Sequence, residues 1–151
     1  MAKARVYLVR HAAAEPAGPG GDAARPLSVE GRASFRELVR SLGARLEVER
    51  VLTSPARRAR ESAEILAEVT GAAVEAEEEL AAGRSGGAEL LALLRRRGGG
   101  HALVGHNPEL GEAIALALGS APPVKAGTVA AFELSGEALA FLFLEAPPRS
   151  P

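Results

Sequence analysis

Several residue types that carry common protein functions are missing or scarce in this sequence. It has no cysteine, which excludes a disulfide framework, a thiolate nucleophile and a zinc site built on sulfur. It has no tryptophan and only 3% aromatic residues, so the base-stacking platforms of single-stranded nucleic-acid binding proteins have almost no material. No run approaches the ~20 apolar residues that a transmembrane helix needs. We therefore expect no nucleic-acid partner and no membrane partner.

Charge is balanced in this chain, and its basic residues are almost all arginine. The 18 Lys and Arg residues oppose 19 Asp and Glu residues, so the formal net charge is −1 and a broadly basic surface is excluded. Lys3 and Lys125 are the only lysines. Any anion site must therefore be local and built from guanidinium groups, whose planar forks suit phosphate and carboxylate.

Length and composition favour a single domain, 1–151. A chain of 151 residues with 47% hydrophobic content can bury one core. The first residues lead directly into an apolar, strand-like run, so we expect no cleaved signal peptide and a cytoplasmic protein. The tail, 146–151, is expected to be disordered.

Strand patterns alternate with helix patterns along the chain. Short apolar runs predict strands at Arg5–Val9, Arg50–Thr53, Ala73–Glu77 and His101–Gly105. Helices are predicted to start after Ser28, at Ser54-Pro55, at Ala88 and at Asn107-Pro108. A hairpin of Val129–Leu134 and Ala138–Leu144 then closes the chain. This order predicts a three-layer α/β/α fold with a mostly parallel central sheet and a C-terminal hairpin.

Polar residues gather where three of the predicted strands end. These junctions are Arg10-His11, Ser54-Pro55-Ala56-Arg57-Arg58 and Gly105-His106-Asn107-Pro108. The carboxyl ends of parallel strands lie at one edge of a sheet, so residues distant in sequence converge there. Two of the junctions also start helices, whose free N–H groups favour an anion. Two histidines, at least two arginines and two helix starts are typical of a phosphate site, which indicates phosphoryl transfer.

Each junction taken alone also has a purely structural explanation. Ser-Pro is a common helix cap, and arginines beside Glu61 and Glu64 are typical of a solvated helix face. His101 begins a strand and is expected to be structural. A metal site of His11, His101 and His106 is disfavoured, because His101 and His106 would lie about 16 Å apart on one strand at ~3.3 Å per residue.

Taken together, the motifs resemble the histidine phosphatase superfamily. The match rests on Arg10-His11 after an apolar strand, on Ser54-Pro55-Ala56-Arg57-Arg58-Ala59 and on Gly105-His106-Asn107-Pro108. The segment Pro26-Leu27-Ser28-Val29-Glu30-Gly31-Arg32 resembles the one that leads into the first helix of that family. The resemblance spans 5–144, and the short chain and the Gly-His-Asn-Pro form are similar to the small, SixA-like branch of phosphohistidine phosphatases. It implies a phosphoglycerate mutase-like fold.

The resemblance also implies roles for the junction residues. His11 is the nucleophile, which takes the phosphoryl group as a phosphohistidine intermediate. Arg10 and Arg58 hold phosphate oxygens, and His106 completes the pocket. A neutral imidazole is a competent nucleophile near neutral pH, and fixed arginine donors suit the charge on a phosphoryl group during transfer. No cofactor and no metal ion are expected, because the sequence shows no carboxylate cluster suited to magnesium.

Two features depart from the family pattern. Ala12 stands where the family has glycine, and the change is nearly silent if the backbone φ is negative but costs about 1 kcal/mol or more if φ is positive. We expect a negative φ. The general acid of larger family members has no recognisable counterpart: Glu78 and Glu79 are candidates, but most of the acidic run Glu77–Glu79 is expected to be a solvated face.

The expected activity is that of a metal-independent phosphatase. Larger relatives cover the site with insertions, whereas loops 12–27 and 81–87 are rich in glycine and alanine and offer few specific side chains, which favours an open site. Such a site suits phosphohistidine on a protein, because an imidazole leaving group depends less on a general acid than an alkoxide does. The alternatives are a small-molecule phosphomonoesterase and a non-catalytic phosphate-binding module. A monomer or weak dimer is expected.

Overall fold

The computed structural model describes residues 4–148, which form a six-stranded mixed sheet between two layers of helices. The strands are β1 (Ala4–Arg10), β2 (Arg50–Thr53), β3 (Ala73–Ala76), β4 (His101–Gly105), β5 (Val129–Ser135) and β6 (Ala138–Glu145). The helices are α1 (Val29–Leu42), α2 (Arg57–Thr70), α3 (Gly87–Arg97) and α4 (Glu109–Leu118), with short 3₁₀ turns at Asp22–Ala24, Gly43–Arg45 and Glu78–Leu80. The predicted three-layer α/β/α fold is confirmed.

The strand order is β3-β2-β4-β1-β5-β6. The first four strands in this order are parallel to one another. Strand β5 is antiparallel to both β1 and β6, and it forms the C-terminal hairpin with β6. Strands β1, β4 and β2 therefore lie side by side, and their carboxyl ends meet at one edge of the sheet.

Two apolar layers hold the helices on the sheet, because side chains along a strand alternate between its faces. Tyr7 and Val9 of β1 pack in the layer under α1 and α2. Val6 and Leu8 of the same strand pack in the layer under α3 and α4. Strand β1 is thus covered on both faces, which explains why its sequence is continuously apolar.

Helix α1 starts where the sequence predicts, after Ser28. The Ser28 hydroxyl oxygen accepts a hydrogen bond from the Gly31 N–H at 2.9 Å, as a helix N-cap does. Gly31 faces the backbone of loop 12–27, and a Cβ at this position would overlap the Ala13 carbonyl oxygen. The glycine of this motif is therefore needed for close approach between α1 and the loop.

The starts of α2 and α4 differ from the prediction. Helix α2 begins at Arg57, with Ala56 as its N-cap residue and no side-chain cap, so the predicted cap at Ser54 is wrong. Helix α4 begins at Glu109, and the Asn107 side-chain oxygen accepts from the Gly111 N–H at 3.1 Å. In each junction a short non-helical segment, 54–56 or 106–108, stands between the strand and the helix.

No helix within residues 4–148 combines the length and the apolar character needed to cross a lipid bilayer.

The C-terminal tail, 146–151, for which the sequence predicts disorder, is described only in part, because 149–151 lies outside the described residues. Within the described part, Pro147 packs against Gly127.

Candidate active site

The register of β1 and β4 places His11 beside His106. Arg10 is aligned with Gly105 across these parallel strands, and the His11 N–H donates to the Gly105 carbonyl at 3.1 Å. Each histidine is the first residue after its strand. The centroids of the two imidazole rings consequently lie 5.2 Å apart, although the residues are far apart in sequence.

Strand β2 adds Ser54 on the other side of His106. The Ser54 N–H donates to the Val104 carbonyl at 3.0 Å, which continues the β2–β4 ladder past the last strand residue. The Ser54 hydroxyl lies 2.8 Å from His106 Nε2, and the serine is fully buried. The same hydroxyl also accepts from the Ala56 N–H at 3.2 Å, which lies before the first helical residue, so Ser54 does not cap α2.

Arg58 joins the two histidines from the first turn of α2. Its Nε lies 3.3 Å from His11 Nε2, and its Nη2 lies 3.3 Å from His106 Nδ1. Arg58 is only 5% exposed, compared with 8% for His11 and 4% for His106. The structure thus brings these three sequence-predicted residues into contact within one buried cluster.

The hydrogen bonds define which nitrogen of each ring carries the proton. His11 Nδ1 lies 2.7 Å from the Ala12 carbonyl oxygen, so Nδ1 carries the proton and donates. His11 Nε2 then has a lone pair, which accepts from Arg58. His106 Nδ1 also faces an arginine donor, so its proton is on Nε2 and is donated to the Ser54 hydroxyl. The lone pairs of both rings therefore point toward Arg58.

Burial keeps both histidines neutral. It lowers the pKa of His11 from 6.5 to about 4, and the nearby positive charge of Arg58 acts in the same direction. Burial likewise lowers the pKa of His106 to about 4, again assisted by Arg58. At pH 7 both imidazoles are uncharged, so the lone pair on His11 Nε2 is available for nucleophilic attack.

Arg10 lies at the side of this cluster, with part of its donor capacity unused. Its Nη1 donates to the Val124 carbonyl at 2.9 Å, and its Nε is buried without a hydrogen-bond partner among the described residues. Burial lowers the pKa of Arg10, and its positive charge lowers the pKa of both His11 and His106. Arg10 therefore supplies a second positive charge that acts on both rings.

The backbone at Ala12 is unstrained. Among residues 4–148 only glycines have a positive φ, so the expected negative φ at Ala12 is confirmed. Its N–H donates to the Ser62 hydroxyl at 2.9 Å, and that hydroxyl donates to the Arg58 carbonyl at 2.8 Å. Ser62 thus ties the chain after His11 to the first turns of α2.

The two candidate general acids lie outside this cluster. Glu78 is exposed, and the Glu79 carboxylate accepts from Arg96 of α3 at 2.9 Å. Within residues 4–148 neither of them forms a hydrogen bond or ion pair with His11, Arg58 or His106. The structure therefore does not bring Glu78 and Glu79 to the residues predicted for the site.

Sequence reasoning missed two acidic residues of the site. Asp22, in loop 12–27, accepts from Arg58 Nη1 through its carbonyl at 2.9 Å and from Nη2 through its carboxylate at 3.0 Å. Glu109, at the start of α4, is buried and accepts from the Gly83 N–H at 2.8 Å. The available signal for Asp22 is an acidic residue within a loop made mostly of glycine, alanine and proline.

Electrostatics at the two helix starts differ. Helix α4 has Glu109 and Glu112 in its first turn, and the charge of Glu109 opposes the lowering of the pKa of His106. Helix α2 has no acidic residue in its first turn and no side-chain cap. Of these two helix starts, that of α2 is therefore the one whose uncapped N–H groups and positive dipole end suit an anion.

The donor set of this site is cationic and imidazole-based. Within residues 4–148, no group of three or more His, Asp or Glu side chains is placed to hold a metal ion. His101 lies at the opposite end of β4, where its Nδ1 contacts the Gly98 carbonyl at 3.1 Å. The arrangement offers a neutral imidazole nucleophile flanked by two guanidinium groups.

The chain is similar to a known protein family and to several solved structures. A family model described as histidine phosphatase superfamily (branch 1) matches residues 6–107. No curated protein sequence matches the chain at a significant level. Among solved structures, a protein from Agrobacterium tumefaciens assigned as the phosphohistidine phosphatase SixA superposes with a TM-score of 0.82 at 23% identity, over 95% of this chain and 98% of that one.

Two further solved structures are similar. The protein histidine phosphatase SixA in complex with tungstate has a TM-score of 0.81 and 26% identity, over 95% of this chain and 97% of the other. An Escherichia coli protein assigned as an α-ribazole-5′-phosphate phosphatase has a TM-score of 0.72 and 16% identity, over 95% of this chain and 97% of the other. At such identities the similarity chiefly establishes a shared fold.

Proposed function

The chain belongs to the histidine phosphatase superfamily, which supports a phosphatase activity, and we propose that it hydrolyses phosphohistidine on a protein through a phosphorylated His11. The observation that carries this proposal is the state of His11. Its Nε2 is unprotonated, is held by the Nδ1–H bond to Ala12, and lies 3.3 Å from an arginine donor in a buried cluster. A nucleophile and a phosphate-binding guanidinium group are thus adjacent.

The reaction proceeds in two displacements. The lone pair on His11 Nε2 attacks the phosphorus atom, the bond from phosphorus to the substrate imidazole nitrogen breaks, and the released imidazole takes a proton from water. Water then attacks the phosphorus of phospho-His11, the P–Nε2 bond breaks, and inorganic phosphate leaves. His11 returns to its neutral form, with Nδ1–H still bonded to the Ala12 carbonyl.

Arg10, Arg58 and His106 stabilise the charge on the transferred group. The guanidinium groups donate to the phosphoryl oxygens from fixed positions, so little reorganisation is needed during transfer. His106 is neutral in the empty site, but a bound phosphoryl dianion favours its protonated form. Protonation at Nδ1 then turns His106 from an acceptor of Arg58 into a donor to a phosphoryl oxygen.

A substrate with an imidazole leaving group fits this site better than an alkyl ester. Among the described residues, the two carboxyl groups at the site have other partners: Asp22 binds Arg58, and Glu109 accepts from the Gly83 N–H, so neither forms a hydrogen bond with His11 or His106. An alkoxide leaves poorly without a proton donor, whereas an imidazole is a weaker base and leaves more readily. The structural similarity to SixA over nearly the whole chain supports the same substrate class.

The test is the capture of the intermediate. A brief incubation with a ³²P-labelled phosphohistidine protein, followed by a quench, should yield a phosphoprotein that is stable in alkali and labile in acid. His11→Ala should abolish both the label and the turnover. His101→Ala is the matched control, because His101 lies at the other end of β4, and it should retain both. Turnover without a labelled intermediate would refute the mechanism.

A side-by-side assay distinguishes the substrate classes. Rates on a phosphohistidine protein, an aryl phosphate and a panel of phosphorylated metabolites should be measured with and without a chelator. Preference for the phosphohistidine protein, unchanged by the chelator, is the expected result. Preference for a metabolite would indicate a small-molecule phosphomonoesterase, and phosphate binding without any turnover would indicate a non-catalytic module.

A further inference from the structure

Arg58 uses two different edges of its guanidinium group at the site. The edge formed by Nε and Nη2 faces the two histidines, with distances of 3.3 Å to His11 Nε2 and 3.3 Å to His106 Nδ1. The end formed by Nη1 and Nη2 faces Asp22, with distances of 2.9 Å to its carbonyl oxygen and 3.0 Å to its carboxylate. Each edge can hold an oxyanion in bidentate fashion, so the choice of edge decides where a phosphoryl group binds.

Asp22 occupies one of these edges completely. The contacts with Asp22 are short and one of them is charge-assisted, whereas the contacts with the histidine nitrogens are longer and involve neutral acceptors. A bound phosphoryl group therefore displaces the histidine contacts more easily than the Asp22 contacts. Its oxygens then take the donors on Nε and Nη2, next to the attacking Nε2 of His11.

The carboxylate of Asp22 is itself held in place. Its second oxygen, Oδ1, accepts from Arg25 Nη1 at 3.1 Å, and Arg25 Nε donates to the Glu15 carbonyl at 2.7 Å. Both contacts lie within loop 12–27, so the loop holds the Asp22 carboxylate in place independently of Arg58. The Asp22 side chain is 62% exposed, compared with 6% for Arg58, which places the aspartate at the rim of the site rather than in the core.

We propose that Asp22 is a positioning residue that binds the end of the Arg58 guanidinium group and thereby presents its Nε–Nη2 edge to the transferred phosphoryl group. Loop 12–27 is then part of the phosphate site, through a side chain that does not touch the substrate. This inference rests on the proposed function for the identity of the transferred group, but not for the binding of an oxyanion to Arg58.

The first test is the binding of inorganic phosphate, measured by calorimetry. Asp22→Ala should weaken phosphate binding by about 100-fold, because Arg58 loses the contacts that orient it. Asp22→Asn should give an intermediate loss, since its amide oxygen still accepts from Nη2 without the charge. Glu15→Ala is the matched control, because it removes an exposed carboxylate from the same loop that contacts neither arginine with its side chain, and it should bind phosphate like the wild type.

The second test separates positioning from a general structural effect. Asp22→Ala should lower kcat/KM strongly in the wild-type background and much less in an Arg58→Lys background, because lysine has no guanidinium edge to orient. An equal loss in both backgrounds, or a phosphate affinity in Asp22→Ala equal to that of Glu15→Ala, would overturn the inference. Unchanged far-UV circular dichroism of the variants checks that they remain folded.

The outcomes also distinguish this inference from the proposed function. Phosphate binding that depends on Asp22 in a protein without turnover would overturn the function and leave the positioning role standing. A protein that forms phospho-His11 with the same efficiency in the Asp22 variants would overturn only the positioning role. Wild-type protein that neither binds phosphate nor forms phospho-His11 would overturn both.

Discussion

Lowering the pH from 7 to 4 should destabilise the fold, because two buried histidines must then be charged. In the unfolded chain His11 and His106 titrate near 6.5, whereas in the folded protein their pKa is about 4. Between these values the unfolded state binds more protons than the folded state, so the free energy of unfolding falls as the pH falls. The loss begins near pH 6.5 and is complete below pH 4.

The magnitude follows from the same pair of pKa values. The difference between 6.5 and about 4 corresponds to about 3 kcal/mol for each histidine. The two rings lie 5.2 Å apart, and a charge on one disfavours a charge on the other, so the contributions are not independent. A loss of this order is a large part of the ~5–15 kcal/mol that stabilises a typical domain.

Urea unfolding at a series of pH values measures this effect. Far-UV circular dichroism is the suitable signal, because the chain has no tryptophan and a single tyrosine. His106→Asn should reduce the slope of stability against pH between 6.5 and 4.5, while His101→Asn should leave it unchanged. Saturating phosphate should also flatten the slope, because a bound anion raises the pKa of the histidines.

The carboxyl groups of the fold act in a lower pH range. The hydrogen bond from Arg25 lowers the pKa of Asp22. Burial opposes ionisation of Glu61, but the Leu27 N–H and the arginine partners of this carboxylate outweigh it and lower its pKa. The contribution of both carboxylates to stability is therefore lost only as the pH falls below the usual carboxyl range. Stability that stays constant from pH 6.5 to 4.5, or a slope that disappears in His101→Asn rather than His106→Asn, would refute the assignment of buried neutral histidines.

Three further substitutions test the contacts around the site. Ser54→Ala should lower the free energy of unfolding by about 1–3 kcal/mol and shift the His106 proton away from Nε2, because the buried acceptor 2.8 Å from this nitrogen is lost. ¹⁵N NMR of the ring reports the tautomer, and an unchanged tautomer would contradict the assignment. Ala12→Gly should lower stability by about 1 kcal/mol without raising kcat/KM, because the negative φ gives glycine no advantage; a gain in stability in thermal unfolding would argue otherwise. Gly31→Ala should lower the Tm and reduce the free energy of unfolding by about 1–3 kcal/mol, because the new Cβ would overlap the Ala13 carbonyl oxygen. An unchanged Tm would show that loop 12–27 moves freely.

Much of the fold could be predicted because it depends on local patterns. The apolar runs of β2 and β4 have the same bounds in the structure as in the sequence analysis, since a buried strand between two helices needs a short, continuous apolar segment. The start of α1 after Ser28 was equally predictable, because an N-cap involves residues only three positions apart. The start of α2 was not, because the Ser54 hydroxyl contacts His106, which follows a different strand.

The candidate site could be predicted only in part. His11 and His106 stand directly after strands, and Arg58 lies in the first turn of the helix after β2, so the rule for parallel sheets was enough to expect them at one edge. The contact of Asp22 with Arg58 could not be expected in this way. It depends on the path of loop 12–27, which no periodic pattern specifies, and on a backbone carbonyl that every residue has.

By itself the sequence determined the layers of the fold, the edge at which the polar residues meet and the identity of the imidazole and guanidinium groups, because periodicity and residue type are local properties. The tertiary structure decided which ring nitrogen of His11 holds a lone pair, how far burial lowers the pKa of both histidines, and which edge of Arg58 faces them. These properties depend on distances between segments that are remote in the chain, and only the packed fold sets those distances.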